Sequence, residues 1–418
     1  MTRDSAALPL ALDVLLVDEE LPWPANTGKR LRTWNLVRRL QARHSIVFLC
    51  HGEDGQKQPE GWDNVEIVHV PSPLTPLSGP SLYFSLFRNL RSSQPFVVDR
   101  HDSIAMRTAI DRLLADRTFD IVHCEWTPYA ANIAHAMGAI PCVLAAHNVE
   151  HQIWRRYSEA TRNPLKKAFL RTQWKRMAAF ESTMCPAFDV ATCVSPEDAL
   201  QLEAMGCANA VVVPNGVDLD YFHPGHSLLP EQDASSIVFT GSMDWRPNQD
   251  AVQFFVDQIF PRVRKTLPHA VFRVVGRKPP EALARQWSAC PGVDVTGTVD
   301  DVRPYLAEAA VVVVPLRIGG GSRLKILEAL AMRKVVLSTT LGAEGLDLTH
   351  GRHLQIEDDP GAFAAACIDI LRYPDHYTAM AAAGRDAVMN RYGWDGIAAI
   401  QDEAWRHAAA KGVPVAAA

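Results

Sequence analysis

A run of glycines flanked by a serine and two cations is the stretch whose residue types most directly suggest ligand chemistry. It contains Gly319, Gly320, Gly321, Ser322, Arg323 and Lys325. The glycines would let the backbone approach a ligand closely, and Ser322 is a good N-cap for a helix that begins at Arg323. Free backbone N–H groups and the positive end of that helix dipole would then point into the loop, beside the two cations. The pattern favours a phosphate-bearing ligand, although three glycines alone also fit an ordinary turn between a strand and a helix.

The elements on either side would hold this loop at the edge of a sheet. Val311–Val314 is a short β-branched run, typical of a parallel strand that is covered on both faces. After the loop, Leu324, Leu327 and Leu330 recur at helical spacing, which predicts a helix over 323–333. Glu328 lies one turn into that helix, where its carboxylate can face the ligand.

Length and composition restrict the class of protein. The chain has 418 residues, of which 48% are hydrophobic and 21% charged, and its formal net charge is -5. These values predict two or three folded domains and argue against a general nucleic-acid binder. We expect no transmembrane helix and no secretory signal, because no apolar run reaches about 18 residues and the N-terminus lacks a cleavable apolar segment. The eight cysteines form no CxxC pair, which favours buried thiols in a reducing cytoplasm, and no metal site is predicted.

Short apolar strands alternate with amphipathic helices along both halves of the chain. In the first half the predicted strands are 13–17, 45–50, 65–70, 120–124, 142–146 and 190–194, and the predicted helices are 28–42, 103–116, 128–137 and 164–183. In the second half the predicted strands are 237–240, 271–275, 293–296, 311–314 and 335–338, and the predicted helices are 248–267, 279–289, 301–309, 323–333 and 361–372. This alternation predicts an α/β protein with two mostly parallel sheets.

Polar residues of the first half follow its predicted strands, at the sheet edge where ligands bind in such folds. Gly28 and Lys29 come after the first strand, and Glu125 ends the fourth. The alternative for the basic turn at Lys29 is simple solvation. His147 follows the fifth strand together with Asn148 and Glu150, which suits a ligand-contacting histidine better than a purely structural one.

Glycine turns follow the predicted strands of the second half in the same way. Gly241 and Ser242 would let a diphosphate approach, with Asn248 as the N-cap of the next helix. Gly276 and Gly297 end the next two strands and are able to flank a base, but these glycines fit equally well as simple strand ends.

A basic stretch over 155–176 stands apart from these loops. Its cations are Arg155, Arg156, Arg162, Lys166, Lys167, Arg171, Lys175 and Arg176, and its interleaved apolar residues include Trp154, Phe169, Leu170 and Trp174. A basic amphipathic helix with tryptophans suits an anionic membrane surface or a pyrophosphate-linked lipid. The alternative is a solvated helix whose aromatic residues face the core.

The motifs together resemble those of GT-B glycosyltransferases of family 4, over nearly the whole chain. The resemblance is carried by 213–218 (Val-Pro-Asn-Gly-Val-Asp), 240–242 (Thr-Gly-Ser), 328–331 (Glu-Ala-Leu-Ala) and 342–346 (Gly-Ala-Glu-Gly-Leu). Within the family, 319–325 is similar to a subgroup of bacterial sugar transferases tied to exopolysaccharide assembly, some of them associated with PEP-CTERM/EpsH systems.

This resemblance implies two Rossmann-like domains whose parallel sheets face an interdomain cleft. The acceptor-binding domain would be 10–215, completed by a C-terminal helix within 394–418, and the donor-binding domain would be 216–393. The family resemblance also implies transfer with retention of configuration and no essential metal. It assigns Glu328 to the donor ribose, His147 to the reaction centre and Gly28 to the donor phosphates.

The chain also departs from the family pattern. The first glutamate of the EX7E motif should stand at position 320, which is Gly320, and the R-x4-K pair should fall at Ser242 and Pro247. A leaving nucleoside diphosphate needs cations when no metal stabilises its charge. We therefore predict that Arg323 and Lys325 bear that role, and that the N–H groups of the glycine loop contact the sugar.

The function predicted from the sequence is a retaining, metal-independent glycosyltransferase of the hexosyltransferase type. It would use a UDP- or GDP-sugar as substrate, with no cofactor, and a polysaccharide, lipid-linked or other glycan acceptor in cell-envelope or exopolysaccharide synthesis. Donor contacts are predicted for Gly28, Gly241, Ser242, Gly276, Gly319, Gly320, Gly321, Ser322 and Glu328, acceptor contacts for Lys29, Glu125, Asn148 and Glu150, and catalytic roles for His147, Arg323 and Lys325. The protein would be cytoplasmic and peripheral at the inner face of the membrane, contacting it through 155–176. A nucleotide-sugar epimerase of the same fold and a non-catalytic scaffold are the alternatives.

Overall fold

The computed structural model describes residues 11–53, 55–71, 79–161, 163–225, 229–318 and 323–411. Two compact units divide the chain. The N-terminal unit ends at Pro214 and takes up the chain again at Ile397, and the C-terminal unit is Asn215–Gly396. Each unit has its own hydrophobic core.

The N-terminal unit is built on a parallel sheet. Its strands are β1 Asp13–Val17, β2 Ser45–His51, β3 Val65–Val70, β4 Ile121–Cys124, β5 Cys142–Ala146, β6 Val190–Cys193 and β7 Ala210–Val212, in the order β3-β2-β1-β4-β5-β6-β7. Its helices are α1 Gly28–Leu40, α2 Pro80–Leu90, α3 Phe96–His101, α4 Ile104–Asp116, α5 Glu150–Ala160, α6 Pro164–Met184 and α7 Pro196–Ala204. The strand order reverses direction between β1 and β4, which places the topological switch point at the loops that follow these two strands.

The C-terminal unit repeats this plan. Its strands are β8 Asp233–Thr240, β9 Val271–Val275, β10 Val293–Gly297, β11 Ala309–Val314, β12 Val335–Ser338 and β13 Gln355–Ile356, in the order β10-β9-β8-β11-β12-β13. Its helices are α8 Arg246–Phe254, α9 Phe260–Thr266, α10 Glu281–Ser288, α11 Arg303–Glu308, α12 Leu324–Ala331, α13 Thr340–Ala343, α14 Pro360–Arg372 and α15 Thr378–Arg391. The fully buried valines of β11 lie at the centre of the sheet, and the switch point falls between β8 and β11.

The last helix, α16 Trp394–Lys411, carries the chain from the C-terminal unit back into the N-terminal unit. Its buried Trp405 donates a hydrogen bond from Nε1 to Nδ1 of His123 at 3.0 Å. Asp402, one turn earlier, accepts from Arg43 and lies 3.0 Å from Nε2 of His44. These contacts tie the helix to β4 and to the residues just before β2.

Several predicted helices differ from the observed ones because proline and capping residues interrupt them. The predicted helix over 128–137 is wrong, since this segment forms two short 3₁₀ turns, Thr127–Asn132 and Ala134–Ala136. The predicted helix over 248–267 is divided by a π turn at Phe255–Ile259, just before Pro261. The basic stretch over 155–176 is likewise two helices, because Asn163 caps α6 and Pro164 occupies its first turn. The sequence did not predict α2, α3, α7, α13 and α15, or strands β7 and β13, and it predicted only the second half of α5, as part of the basic stretch.

Candidate functional site

The predicted phosphate loop is only partly described, since Gly319, Gly320, Gly321 and Ser322 lie outside the described residues. The helix after it begins one residue later than predicted. Arg323, not Ser322, occupies the N-cap position and has a left-handed backbone with φ of 46°. Its buried guanidinium donates from Nη2 to Oε2 of Glu344 at 3.2 Å and from Nε to the Glu344 carbonyl oxygen at 3.4 Å. Arg323 is thus engaged by the loop that follows β12, which fixes the start of α12.

Lys325 instead reaches across to the loop that follows β8. Its Nζ donates to Oδ1 of Asn248 at 2.8 Å and lies 4.1 Å from the centroid of the Phe239 ring. A Cβ added to Gly241 would lie only 2.9 Å from the same Nζ. The structure therefore brings Lys325 together with Gly241 at the switch point of the C-terminal unit.

Asn248 has a different role from the predicted one. The N-cap position of α8 is Trp245, and Asn248 lies in the first turn of that helix. Its Nδ2 donates to the carbonyl oxygen of Ser242 at 2.8 Å while its Oδ1 accepts from Lys325. One buried amide thus connects the loop after β8 to the first turn of α12.

A second cation, which the sequence reasoning did not assign, joins this group. Arg277 follows Gly276 after β9, and its Nε donates to Oγ of Ser242 at 2.7 Å. A Cβ added to Gly276 would lie 1.7 Å from the carbonyl oxygen of Gly241, so the two glycine turns pack backbone against backbone. A glycine is required there for this close approach, whatever the turn binds. The signal in the sequence was the arginine directly after a glycine at the end of a predicted strand.

Lys325 and Glu328, on the first two turns of α12, are both partly buried. Burial lowers the pKa of Lys325 to about 7, an effect that Arg323 adds to and Glu328 opposes. Burial also raises the pKa of Glu328 to about 7, and Lys325 opposes this change. Among the residues that the structure describes, the side-chain carboxylate of Glu328 has no hydrogen-bond partner, which leaves it available to a ligand.

At the switch point of the N-terminal unit, Lys29 is held by acidic residues. Gly28 is the first residue of α1, and Nζ of Lys29 donates to Oδ1 of Asp18 at 2.6 Å and to Oε1 of Glu19 at 2.8 Å. The same Nζ lies 5.3 Å from the centroid of the Trp126 ring. The alternative of a merely solvated basic turn is therefore wrong. Although burial opposes the charged form, Asp18 and Glu19 raise the pKa of Lys29.

The sequence reasoning missed the two carboxylates that hold Lys29. Burial raises the pKa of Asp18 to about 7, whereas Lys29 and His101 together outweigh burial and lower the pKa of Glu19 to about 2. Nε2 of His101 lies 3.2 Å from Oε2 of Glu19. The sequence did contain a signal for Asp18 and Glu19, because both residues directly follow the first predicted strand.

His147 and Glu125 form a buried pair at the ends of β5 and β4. Nε2 of His147 donates to the Glu125 carbonyl oxygen at 2.7 Å and lies 3.4 Å from its Oε1. Burial lowers the pKa of His147, and the neutral ring that donates from Nε2 keeps Nδ1 as an acceptor. Glu125 also accepts from Thr33 at 2.7 Å and lies 2.8 Å from Nε2 of His123. Burial opposes ionisation of Glu125, but these histidines hold its pKa well below the usual range.

Glu150 and Asn148 complete the predicted residues of this unit. Glu150 begins α5, and its Oε1 accepts from Nε1 of Trp126 at 3.0 Å. Burial raises the pKa of Glu150 to about 7, so this carboxyl group is partly protonated at neutral pH. Asn148, between His147 and Glu150, is partly exposed. The structure thus groups Lys29, Glu125, His147 and Glu150 with Trp126 at one edge of the sheet.

Two doubly wound parallel-sheet units with polar loops at their switch points define the class of the GT-B fold. Sucrose-phosphate synthase from Thermosynechococcus elongatus is similar to the chain, with a TM-score of 0.71 and 16% identity over 96% of this chain and 100% of that chain. HepE of Anabaena, solved in complex with UDP and glucose, has a TM-score of 0.62 and 13% identity over 94% of this chain and 98% of that chain. At these identities the likeness shows the fold alone.

The sequence comparisons give the family. A model of Glycosyltransferase Family 4 matches residues 30–221, and a model of Glycosyl transferases group 1 matches residues 234–373. The two matches together cover most of the chain, and the chain belongs to the group 1, family 4 glycosyltransferases, as its motifs predicted. A curated relative from Klebsiella pneumoniae, described as an uncharacterized 44.6 kDa protein in the cps region, is 20% identical over 372 residues, which are 85% of this chain and 90% of that protein.

Proposed function

We propose that the protein is a retaining, metal-independent glycosyltransferase that takes a sugar from a UDP- or GDP-sugar. The observation that carries the proposal is the position of Lys325 beside Gly241 and Ser242. Family members are expected to place an Arg and a Lys in this region, where the chain has Ser242 and Pro247. Lys325, in the first turn of α12, supplies positive charge at the same place, and Glu328 stands one turn further along that helix.

The donor diphosphate binds beside Lys325 in this proposal. Its two negative charges replace the hydration that the ammonium group lost on burial, so binding favours the protonated lysine. The ammonium then stabilises the charge that develops on the nucleoside diphosphate as the bond between sugar and phosphate breaks. Glu328 accepts a hydrogen bond from a ribose hydroxyl, and Arg323, held by Glu344, keeps the loop in place. The phosphate role predicted for Arg323 itself remains a prediction.

Transfer follows a front-face course in this proposal. The acceptor hydroxyl attacks the anomeric carbon on the side of the departing diphosphate, a phosphate oxygen takes the hydroxyl proton, and the sugar keeps its configuration. His147 is neutral because of its burial, and Nδ1 accepts a hydrogen bond from a hydroxyl of the transferred sugar. The retaining course and the lack of a metal requirement are supported by family resemblance.

The acceptor is a glycan or lipid-linked precursor in cell-envelope or exopolysaccharide synthesis. Two observations support this context, namely the cps-region relative and the likeness of 319–325 to transferases of exopolysaccharide assembly. Acceptor contacts are assigned to Lys29, Glu125, Asn148 and Glu150. We place the protein in the cytoplasm, at the inner face of the membrane.

A panel of UDP-, GDP- and ADP-sugars tests the donor half of the proposal by thermal shift, since a ligand that binds only the folded protein raises its melting temperature. We expect one nucleotide class to stabilise the wild type, and Lys325→Ala to lose that shift. Lys265→Ala, which removes an exposed cation in the last turn of α9, is the matched control. An unchanged shift in Lys325→Ala would refute the phosphate assignment, and no shift with any donor would favour the non-catalytic scaffold.

Product analysis tests the chemistry. Incubation of the stabilising donor with glycan or lipid-linked acceptors, with and without EDTA, should give a product of unchanged anomeric configuration by NMR in both cases. A product of inverted configuration would contradict the retaining mechanism. Loss of activity in EDTA that Mg²⁺ or Mn²⁺ restores would contradict metal independence. A donor sugar that changes configuration while remaining on its nucleotide identifies an epimerase.

A further inference from the structure

Helix α2 presents large apolar side chains to solvent. Phe84 is 70% exposed, Phe87 57% and Leu90 52%. Their spacing of three residues places them along one side of the helix, while Asn89 on the other side is buried. Single exposed apolar residues are ordinary, but three adjacent ones on one helix face indicate a surface that contacts something apolar.

The end of α2 is fastened to α6. Arg176 donates to the carbonyl oxygen of Asn89 at 2.8 Å and to that of Leu90 at 3.2 Å. Gln173, one turn earlier on α6, donates to Oδ1 of Asn89 at 2.8 Å. Arg176, predicted as a membrane-facing cation, is therefore used to hold α2. This attachment places the C-terminal end of α2, which carries Leu90, beside α6.

The exposed surface of α6 is basic. Lys166, Lys167, Arg171 and Lys175 are exposed along α6, and among the described residues none of them forms an ion pair with a carboxylate. Leu165, at the start of the helix, is 83% exposed. Arg88 and Arg91 continue the positive charge onto α2, where Arg91 lies 5.4 Å from the Phe87 ring centroid.

The apolar residues interleaved in the basic stretch are buried to different degrees. Leu170 is buried, and Trp154 packs against the core of the N-terminal unit. Phe169 and Trp174 are only partly exposed. The alternative that these side chains face the core is thus correct for Leu170 and Trp154. The larger exposed apolar surface is therefore on α2.

We propose that the apolar face of α2 (Phe84, Phe87 and Leu90) and the basic face of α6 (Lys166, Lys167, Arg171 and Lys175) form one docking surface for an anionic lipid bilayer. The phenylalanines and Leu90 enter the boundary between headgroups and acyl chains, while the lysines and arginines contact anionic headgroups. Self-association through this face is disfavoured, because two copies would bring like charges together. None of the helices in the described part of the chain is long and apolar enough to cross a bilayer.

Flotation of the full chain with vesicles tests this surface without donor or acceptor, so the result is independent of the transferase proposal. We expect binding to vesicles of phosphatidylglycerol and phosphatidylcholine, weakened by high salt, and little binding to phosphatidylcholine alone. Each cation near an anionic surface should contribute on the order of fivefold to the partition coefficient. K166E/K167E/R171E and F84S/F87S should each therefore lower binding by at least about tenfold.

Matched controls change exposed cations and an exposed apolar residue elsewhere in the chain. K57E/K265E/R372E alters the net charge equally, and Leu200→Ser removes an exposed leucine, so both should bind vesicles like the wild type. Melting temperatures confirm that each variant is folded. No binding by the wild type, or equal binding by the wild type and the α2 and α6 variants, overturns the proposal. A concentration-dependent dimer that F84S/F87S abolishes would instead identify this face as a contact between two copies.

Discussion

The protonation of Lys325 should make donor binding depend on pH in a direction that the structure fixes. Burial lowers its pKa to about 7, so the free protein carries mostly neutral lysine above that pH. A bound diphosphate favours the ammonium form and raises the pKa, which means that binding takes up a proton. Affinity should therefore fall as pH rises above 7, by up to tenfold per unit, until the pKa of the complex is reached.

The size of the effect follows from the fraction of protonated lysine. With a pKa near 7, about nine-tenths is protonated at pH 6 and about one-thirtieth at pH 8.5, so the dissociation constant should rise roughly thirtyfold, which is about 2 kcal/mol. The donor itself does not interfere, because a diphosphate esterified at both ends does not titrate in this range. Calorimetry in buffers of different ionisation enthalpy should show uptake of close to one proton at pH 8.

The conservative variant Lys325→Arg tests whether titration of Lys325 causes the pH dependence of donor binding, since arginine stays charged throughout this pH range. It should bind the donor with little change between pH 7 and 8.5, and Lys325→Met should bind weakly at every pH. Glu328 titrates nearby, so the same series in a Glu328→Gln background isolates the lysine. A flat profile for the wild type, or a steep one that persists in both lysine variants, would refute the reasoning.

Three further changes test the rest of the site. Glu328→Gln should weaken donor binding about tenfold by calorimetry, because a hydrogen bond to a charged acceptor is lost, while the melting temperature stays equal or rises as a partly buried carboxylate with a raised pKa is removed. Gly276→Ala should lower the free energy of unfolding by at least about 3 kcal/mol in denaturant titrations, since its Cβ would overlap the Gly241 carbonyl oxygen. Arg323→Ala and Glu344→Ala should lower donor binding non-additively in a double-mutant cycle, with a coupling below about 1 kcal/mol because Glu344 is partly exposed.

Each of these changes has a control or a contrary outcome. Glu281→Gln neutralises an exposed glutamate on α10 and should leave donor binding unchanged. Gly297→Ala meets no atom within 4 Å and carries only the strain of a φ of 71°, so it should destabilise by about 1 kcal/mol. Equal destabilisation by Gly276→Ala and Gly297→Ala would contradict the packing argument, and strictly additive effects at Arg323 and Glu344 would show that the pair acts separately.

Hydrophobic periodicity predicted most of the parallel strands, because a buried strand has the same local signature wherever it lies in the sheet. It did not predict partners that are distant in sequence, such as Lys325 with Asn248 or Lys29 with Asp18. Helix α2 was also missed, and the solvent exposure of its Phe84, Phe87 and Leu90 could not be predicted, because an apolar stripe has the same sequence pattern whether it faces the core or the solvent. Asn248 was misplaced because an asparagine near a helix start suits both an N-cap and a first-turn hydrogen bond, and only the backbone decides between them.

The environment of Lys325 is itself an argument for function. A cation in the first turn of a helix opposes the helix dipole, and burial that lowers its pKa to about 7 destabilises the folded chain at neutral pH. The hydrogen bond to Asn248 and the ring of Phe239 offset only part of this cost. A methionine would fill the same space without the energetic cost of a buried cation, so Lys325→Met should stabilise the free protein at pH 7. The melting temperature of the ligand-free variant measures this, and a lower value than the wild type would mean that the lysine is there for stability instead of for an anionic ligand.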